Sequence, residues 1–200
     1  MKKQKLPTSY KTKIVLASSS ATRVQMLRKH LDKFTIHSHR INEDEFKTQE
    51  DPEQIVATLA KNKALSIQHK FPNYFIIGAD QILLCNKKIM SKPNTIKQAK
   101  ENLMFLRNKN HTLLSSVFVH LDGKQFYSVT KKAVLYFNNI SEGKIENYLQ
   151  NNKKTVLESV GSYKIEENHE YKFIKIISGN KETIQGFPIT ELIKKLKAYE

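Results

Sequence analysis

The sequence predicts an α/β or α+β fold built on a mixed β-sheet flanked by helices. Three observations carry that expectation. Strand-length apolar runs alternate with segments of helical periodicity, the run from Phe75 to Leu84 is apolar almost throughout, and Asp122-Gly123 divides a strand-like segment as a tight hairpin turn would.

Ile14 to Ala17 is an apolar run that gives way to Ser18, Ser19 and Ser20 and then to Val24, Leu27 and Leu31 at helical spacing, which reads as strand, serine loop, helix. Asp51 and Pro52 announce a second helix, with Gln54 at the capping-box position. Its inward face carries Val56, Leu59, Ala60, Lys63, Ala64 and Ile67. The strand that follows, Phe75 to Leu84, is interrupted by Gly78, Asp80 and Gln81. Ile96, Ala99, Leu103 and Leu106 mark an amphipathic helix, with Asn94 as its expected cap. Val117 to Val134 reads as the hairpin and Ser141 to Leu149 as a short helix. Tyr171 to Ile177 alternates like a strand, and Phe187-Pro188 opens a final helix with Leu192, Ile193 and Leu196 inward. Neither an internal repeat nor a long linker is visible.

The 200 residues, 39% of them hydrophobic, suit a single domain over 1–200 with one substantial core, and the polar stretch 1–12 reads as a poorly ordered extension. No run approaches the roughly 18 apolar residues of a membrane span, and no apolar segment backs the first lysines as in an export signal. A cytoplasmic protein with no membrane partner is expected. The lone cysteine, Cys85, excludes an internal disulfide and a Cys/His zinc cluster. A net charge of +15 attracts any polyanion, whether nucleic acid, anionic membrane or triphosphate. Its lysines are spread along the chain with no aromatic-interleaved basic strand, so no nucleic-acid partner is expected, although a basic nucleic-acid-binding protein stays the rival from another class.

Several residues carry chemistry. Ser18 to Ser20 lie where hydroxyls, backbone N–H groups and a positive helix end converge, an arrangement that binds phosphate or simply caps the helix. Arg23, in the first helical turn, is within reach of the same anion. Asp80 stands in the most apolar strand, where a carboxylate requires a cation, a metal or donors unless it only caps a turn. Lys63 places an ammonium on the core face of its helix and either meets a partner or snorkels to water. Lys92, in Ser91-Lys92-Pro93, and Glu43, in the stretch from Asn42 to Glu45, each read as a phosphate or metal partner or as an ordinary exposed charge. His37 and His39 share a strand face and either chelate a metal or stand on the surface. Walker, dinucleotide, HExxH and GxSxG motifs are all missing.

In order, the series Leu16-Ala17-Ser18-Ser19-Ser20-Ala21-Thr22-Arg23, Glu43, Lys63-Ala64, Gly78-Ala79-Asp80-Gln81, Lys92-Pro93, His111, Ser159 to Glu166 and Thr183 to Pro188 resembles the Maf family of nucleotide pyrophosphatases. The likeness runs from about residue 14 to about residue 197. It implies an elongated mixed sheet with two lobes and a central cleft, often in a homodimer. It also implies a housecleaning activity that cuts noncanonical or modified nucleoside triphosphates to monophosphate and pyrophosphate, with some members tied to arrest of cell division. A non-catalytic division regulator on the same fold is a further alternative.

By position, Ser18, Ser20 and Arg23 would hold phosphates, Lys63 and Lys92 would neutralise charge, and Glu43 and Asp80 would handle a divalent metal, Mg²⁺ or Mn²⁺, and water. Thr22, Gln81 and Glu166 occupy the subgroup-specific positions. Gln81 and Glu166 resemble the branch that prefers 7-methyl-GTP rather than the one acting on dTTP and UTP, while Thr22 matches neither branch's usual residue. Ala21, Ser91 and Asn42 stand where Pro, Gly and Asp are usual.

Overall fold

The structure, a computed structural model, describes residues 13–43 and 51–199. The expected extension at 1–12 lies outside them. So does part of the polar stretch after Asn42, although Glu43 is described. The elements are β1 (Ile14–Leu16), α1 (Ala21–Arg28), β2 (Thr35–Ile36), α2 (Pro52–Leu65), β3 (Phe75–Cys85), β4 (Lys88–Met90), α3 (Ile96–Leu106), β5 (Lys109–Leu121), β6 (Lys124–Phe137), α4 (Glu142–Asn151), α5 (Lys153–Glu158), α6 (Asn168–Tyr171), β7 (Ile174–Ser178), α7 (Lys181–Ile184) and α8 (Thr190–Tyr199). A mixed sheet takes the order β2-β1-β3-β5-β6-β7, with β4 paired to β3. β1 pairs in parallel with both β2 and β3, whereas β4 on β3 and β7 on β6 are antiparallel.

The described residues fall into two compact units, one within the ranges 1–80, 115–131 and 186–200, the other within 81–114 and 132–185. In the first, side-chain alternation splits the sheet residues between two apolar layers. Ile14, Leu16, Phe75 and Ile77 join Leu27, Val117, Phe187 and Leu192. Val15, Ala17 and Ile76 join Ala60, Ala64 and Ile67. Both faces of these strands are therefore buried, which is why they read as continuous apolar runs rather than alternating ones.

α2 approaches β3 closely: a Cβ at Gly78 would lie 2.1 Å from the Ala60 carbonyl oxygen and 2.7 Å from the Ala64 nitrogen. Glycine at that position brings Lys63, on the same helix, against the strand carrying Asp80. The second unit packs α3, α4 and α5 over Leu83, Leu113, Leu135, Phe137 and Phe173.

The hairpin expectation holds, since Asp122 and Gly123 take φ of 47° and 79° in the turn between β5 and β6. Its strands run well beyond the expected bounds. Three local expectations are corrected. The expected strand from Tyr171 starts only at Ile174, because Asn168–Tyr171 closes a helical turn and Lys172 adopts φ 53°. Asn168 then fixes the strand's start by accepting from the Ile174 N–H at 2.7 Å. Thr95, not Asn94, caps α3: its hydroxyl accepts from the Gln98 N–H at 3.1 Å while the Gln98 side chain accepts from the Asn94 N–H at 2.7 Å. The last helix begins at Thr190, two residues after Pro188.

Candidate active site

The site in the first unit starts where β1 ends. Ala17 N–H donates to the Ile77 carbonyl at 2.8 Å, after which the chain leaves the sheet through the serines. Buried Ser18 accepts from the Ser20 N–H at 3.2 Å, and Ser20 caps α1 by accepting from the Arg23 N–H at 3.4 Å. Capping and a phosphate-binding position are thus compatible readings of one loop.

Arg23 points inward. Its Nε donates to the Gly186 carbonyl at 3.1 Å and its terminal nitrogen to the Ala79 carbonyl at 2.9 Å and to the Ser18 hydroxyl at 3.5 Å. The guanidinium therefore ties α1 to the residue just before Asp80 and to the segment entering α8. Burial pulls its pKa down, and the carboxylates of Asp80 and Glu43 oppose that pull.

Lys63 and Asp80, with side chains 4% and 7% exposed, form a direct ion pair. The same ammonium lies 2.8 Å from Glu43 Oε1. One cation thus joins two acids that lie 37 residues apart in the chain (80 − 43). Lys63 does not snorkel; the cost of burying Asp80 is offset by this partner.

His39, read from sequence as half of a His37–His39 chelate or as a surface histidine, stands beside the acids, its Nε2 3.7 Å from Glu43 Oε1. Burial and then the Lys63 charge hold its pKa below the ordinary value, so it is neutral at pH 7. His37 turns to the Ser38 carbonyl and to the Phe71 ring.

Thr22 is half-buried in the first turn of α1. Gln81, Lys92 and Glu166 belong to the second unit. Gln81, following Asp80 on β3, donates from Nε2 to the Thr183 and Ile184 carbonyls, both at 3.0 Å. Lys92 is exposed after β4. Asn102 organises its loop, donating to the Ser91 carbonyl at 3.5 Å and to the Ser162 hydroxyl at 3.2 Å. Glu166 sits in the turn Ile165–Glu167 and accepts from Gln185. Asn102 carries no motif signal, and Gln185, although it lies in the segment Thr183 to Pro188, was given no role from sequence.

His111 anchors the same unit, its Nε2 2.5 Å from the Tyr163 hydroxyl. Burial pulls its pKa down to about 4. The unfolded chain's imidazole protonates near pH 6.5 and the folded one only near 4, so the unfolded state binds more protons in that window and stability falls as pH drops through it. The loss approaches about 3 kcal/mol by pH 4. Urea melts at pH 7 and pH 4.5 should show this fall in the wild type and a shallower one in His111→Gln.

Among the described residues, no group of three or more His, Cys, Asp and Glu side chains could by itself hold a metal ion. Glu43 and Asp80 nonetheless fit a hard divalent cation. Both already direct an oxygen at one cation, and Mg²⁺ is commonly bound by one or two carboxylates together with substrate phosphates. Among the described residues no helix is long and apolar enough to cross a membrane.

The chain is similar to proteins named nucleoside triphosphate pyrophosphatase. A protein from Ruegeria sp. (strain TM1040) named nucleoside triphosphate pyrophosphatase is 32% identical over 92% of this chain and 95% of its own length. One of the same name from Pelagibacter ubique (strain HTCC1062) is 34% identical over 93% and 95%. A solved HAM1 protein from Coxiella burnetii aligns over 94% of this chain and 99% of its own with 13% identity and a TM-score of 0.48. The family model described as Maf-like protein matches residues 13–199, which span both the serine loop and the Lys63–Asp80 pair, and the chain belongs to that family.

Proposed function

We propose that this protein is a nucleoside triphosphate pyrophosphatase, a hydrolase that cuts its substrate to nucleoside monophosphate and pyrophosphate, and that 7-methyl-GTP is its preferred type of substrate. The observation that carries the reading is the shared ammonium of Lys63 between Asp80 and Glu43, tied through the Ala79 carbonyl and Arg23 to the serine-capped start of α1. The names of the relatives support the general activity.

In this reading Ser18, Ser20 and the start of α1 receive phosphate oxygens. Arg23 keeps that loop in register with β3 and adds positive charge. Glu43 and Asp80 would hold a Mg²⁺ or Mn²⁺ ion, which when bound neutralises and polarises phosphate oxygens. Asp80 takes the proton of the attacking water as the water's oxygen bonds to the α-phosphorus. The bond from that phosphorus to the bridging oxygen breaks, and pyrophosphate departs with the electron pair. Lys63 stabilises the growing negative charge of the leaving group.

Glu166 gives the base preference its chemistry, since a carboxylate accepts from both N1–H and the exocyclic amine of a guanine-type base. A methylated, cationic ring strengthens that attraction. Pyrophosphate release measured across 7-methyl-GTP, GTP, dTTP and UTP, with and without chelator, tests the proposal. Highest kcat/KM for 7-methyl-GTP, lost on chelation, is expected. A clear pyrimidine preference reverses the base assignment, and tight salt-sensitive binding of nucleic acid without pyrophosphate release overturns the enzymatic reading.

A further inference from the structure

We propose that Gln185 is a positioning residue for base recognition, fixing the Glu166 carboxylate in the orientation from which it accepts a guanine-type base. The inference rests on the base reading given under Proposed function and adds a residue to it.

Two glutamates are adjacent in the turn Ile165–Glu167, and their surroundings separate them. Glu167 accepts from the hydroxyl of Tyr148, a phenol whose pKa burial and that hydrogen bond both push up, so Glu167 is engaged with the aromatic core. Glu166 is exposed and therefore the one that a ligand can reach. Its side-chain partner is Gln185, whose Nε2 donates to Glu166 Oε1.

Both partners sit on backbone that is held in place. Gln185 N–H donates to the Lys181 carbonyl at 2.9 Å. The two carbonyls before it accept from Gln81, and α7 is capped by Asn180, which accepts from the Thr183 N–H and hydroxyl at 2.9 Å each. On the other side the Glu166 carbonyl accepts from His169 Nδ1 at 2.8 Å. Gln81 and Glu166 are thus linked through the segment 183–185, with Gln185 as the final connection.

A free glutamate samples many rotamers, and a recognition carboxylate works only in one of them. A single amide donor on Oε1 selects a rotamer while leaving lone pairs on both oxygens for two adjacent donors of a base. Guanine presents such a pair. Uracil and thymine present a single ring N–H, so the benefit of a fixed carboxylate falls on the purine.

The test compares Gln185→Leu and Gln185→Glu with the wild type on 7-methyl-GTP and UTP, with Glu166→Ala alongside. Gln185→Leu should raise KM for 7-methyl-GTP about five- to tenfold with kcat within about twofold, and leave UTP unchanged. Gln185→Glu, which sets a carboxylate against a carboxylate, should raise that KM further. Equal losses on both nucleotides would mark Gln185 as merely structural, and no change on either would remove it altogether. If Glu166→Ala collapses the 7-methyl-GTP to UTP ratio while both Gln185 variants preserve it, the positioning role alone is wrong. If Glu166→Ala leaves the ratio intact, the base assignment itself falls.

Discussion

Replacing Asp80 with Asn should lower kcat about 10²- to 10⁴-fold, the range that a general base typically contributes. Asparagine keeps the size of the side chain and an oxygen that can accept from Lys63, so the loss reports on charge and basicity rather than on packing. Steady-state pyrophosphate release, with circular dichroism to confirm the fold, measures it. Turnover near the wild-type value would take Asp80 out of the role.

Lys63→Met should be the most destabilising single change in the site. It removes the ammonium shared by Asp80 and Glu43 and leaves an Asp80 side chain only 7% exposed next to another carboxylate. Breaking a buried pair from one side costs about 3–5 kcal/mol, and the Arg23 charge offsets part of it. At roughly 2–4 °C per kcal/mol for a chain of this size, Tm falls by about 6–20 °C. Adding Asp80→Asn to Lys63→Met should recover most of the loss, because the uncompensated charge is then gone. A single variant that melts with the wild type, or a double variant no more stable than the single, would show that the pair is not a buried ionic contact.

Much of the first unit was legible because its signals are local. An apolar run, serines and a helical period define β1 and α1, and Asp51-Pro52 sets the start of α2, where Asp51 accepts from the Glu53 N–H at 3.0 Å. Lys63 and Asp80 stood out for one physical reason: each put a charge among apolar residues. The structure pairs them because Gly78 lets α2 approach β3. The inward turn of Arg23 was not legible, since its acceptors are backbone carbonyls 56 and 163 residues away, which no side-chain pattern encodes. Gln185 was hidden for a similar reason, because its partner lies 19 residues away across α6 and β7. The turn at Asn168–Tyr171 escaped because the alternation of Tyr171 and Phe173 with Lys172 resembles a strand, whereas the backbone at Lys172 ends a helix.

Hydrolysis between the α and β phosphorus atoms is the reaction proposed for the charge cluster of Lys63, Asp80 and Glu43. Phosphorus-31 NMR of the products formed from 7-methyl-GTP in H₂¹⁸O with Mg²⁺ tests it most directly. Nucleoside monophosphate and pyrophosphate are expected in equal amounts, with the heavy oxygen on the monophosphate. Nucleoside diphosphate with orthophosphate, or heavy oxygen in the pyrophosphate, would contradict it.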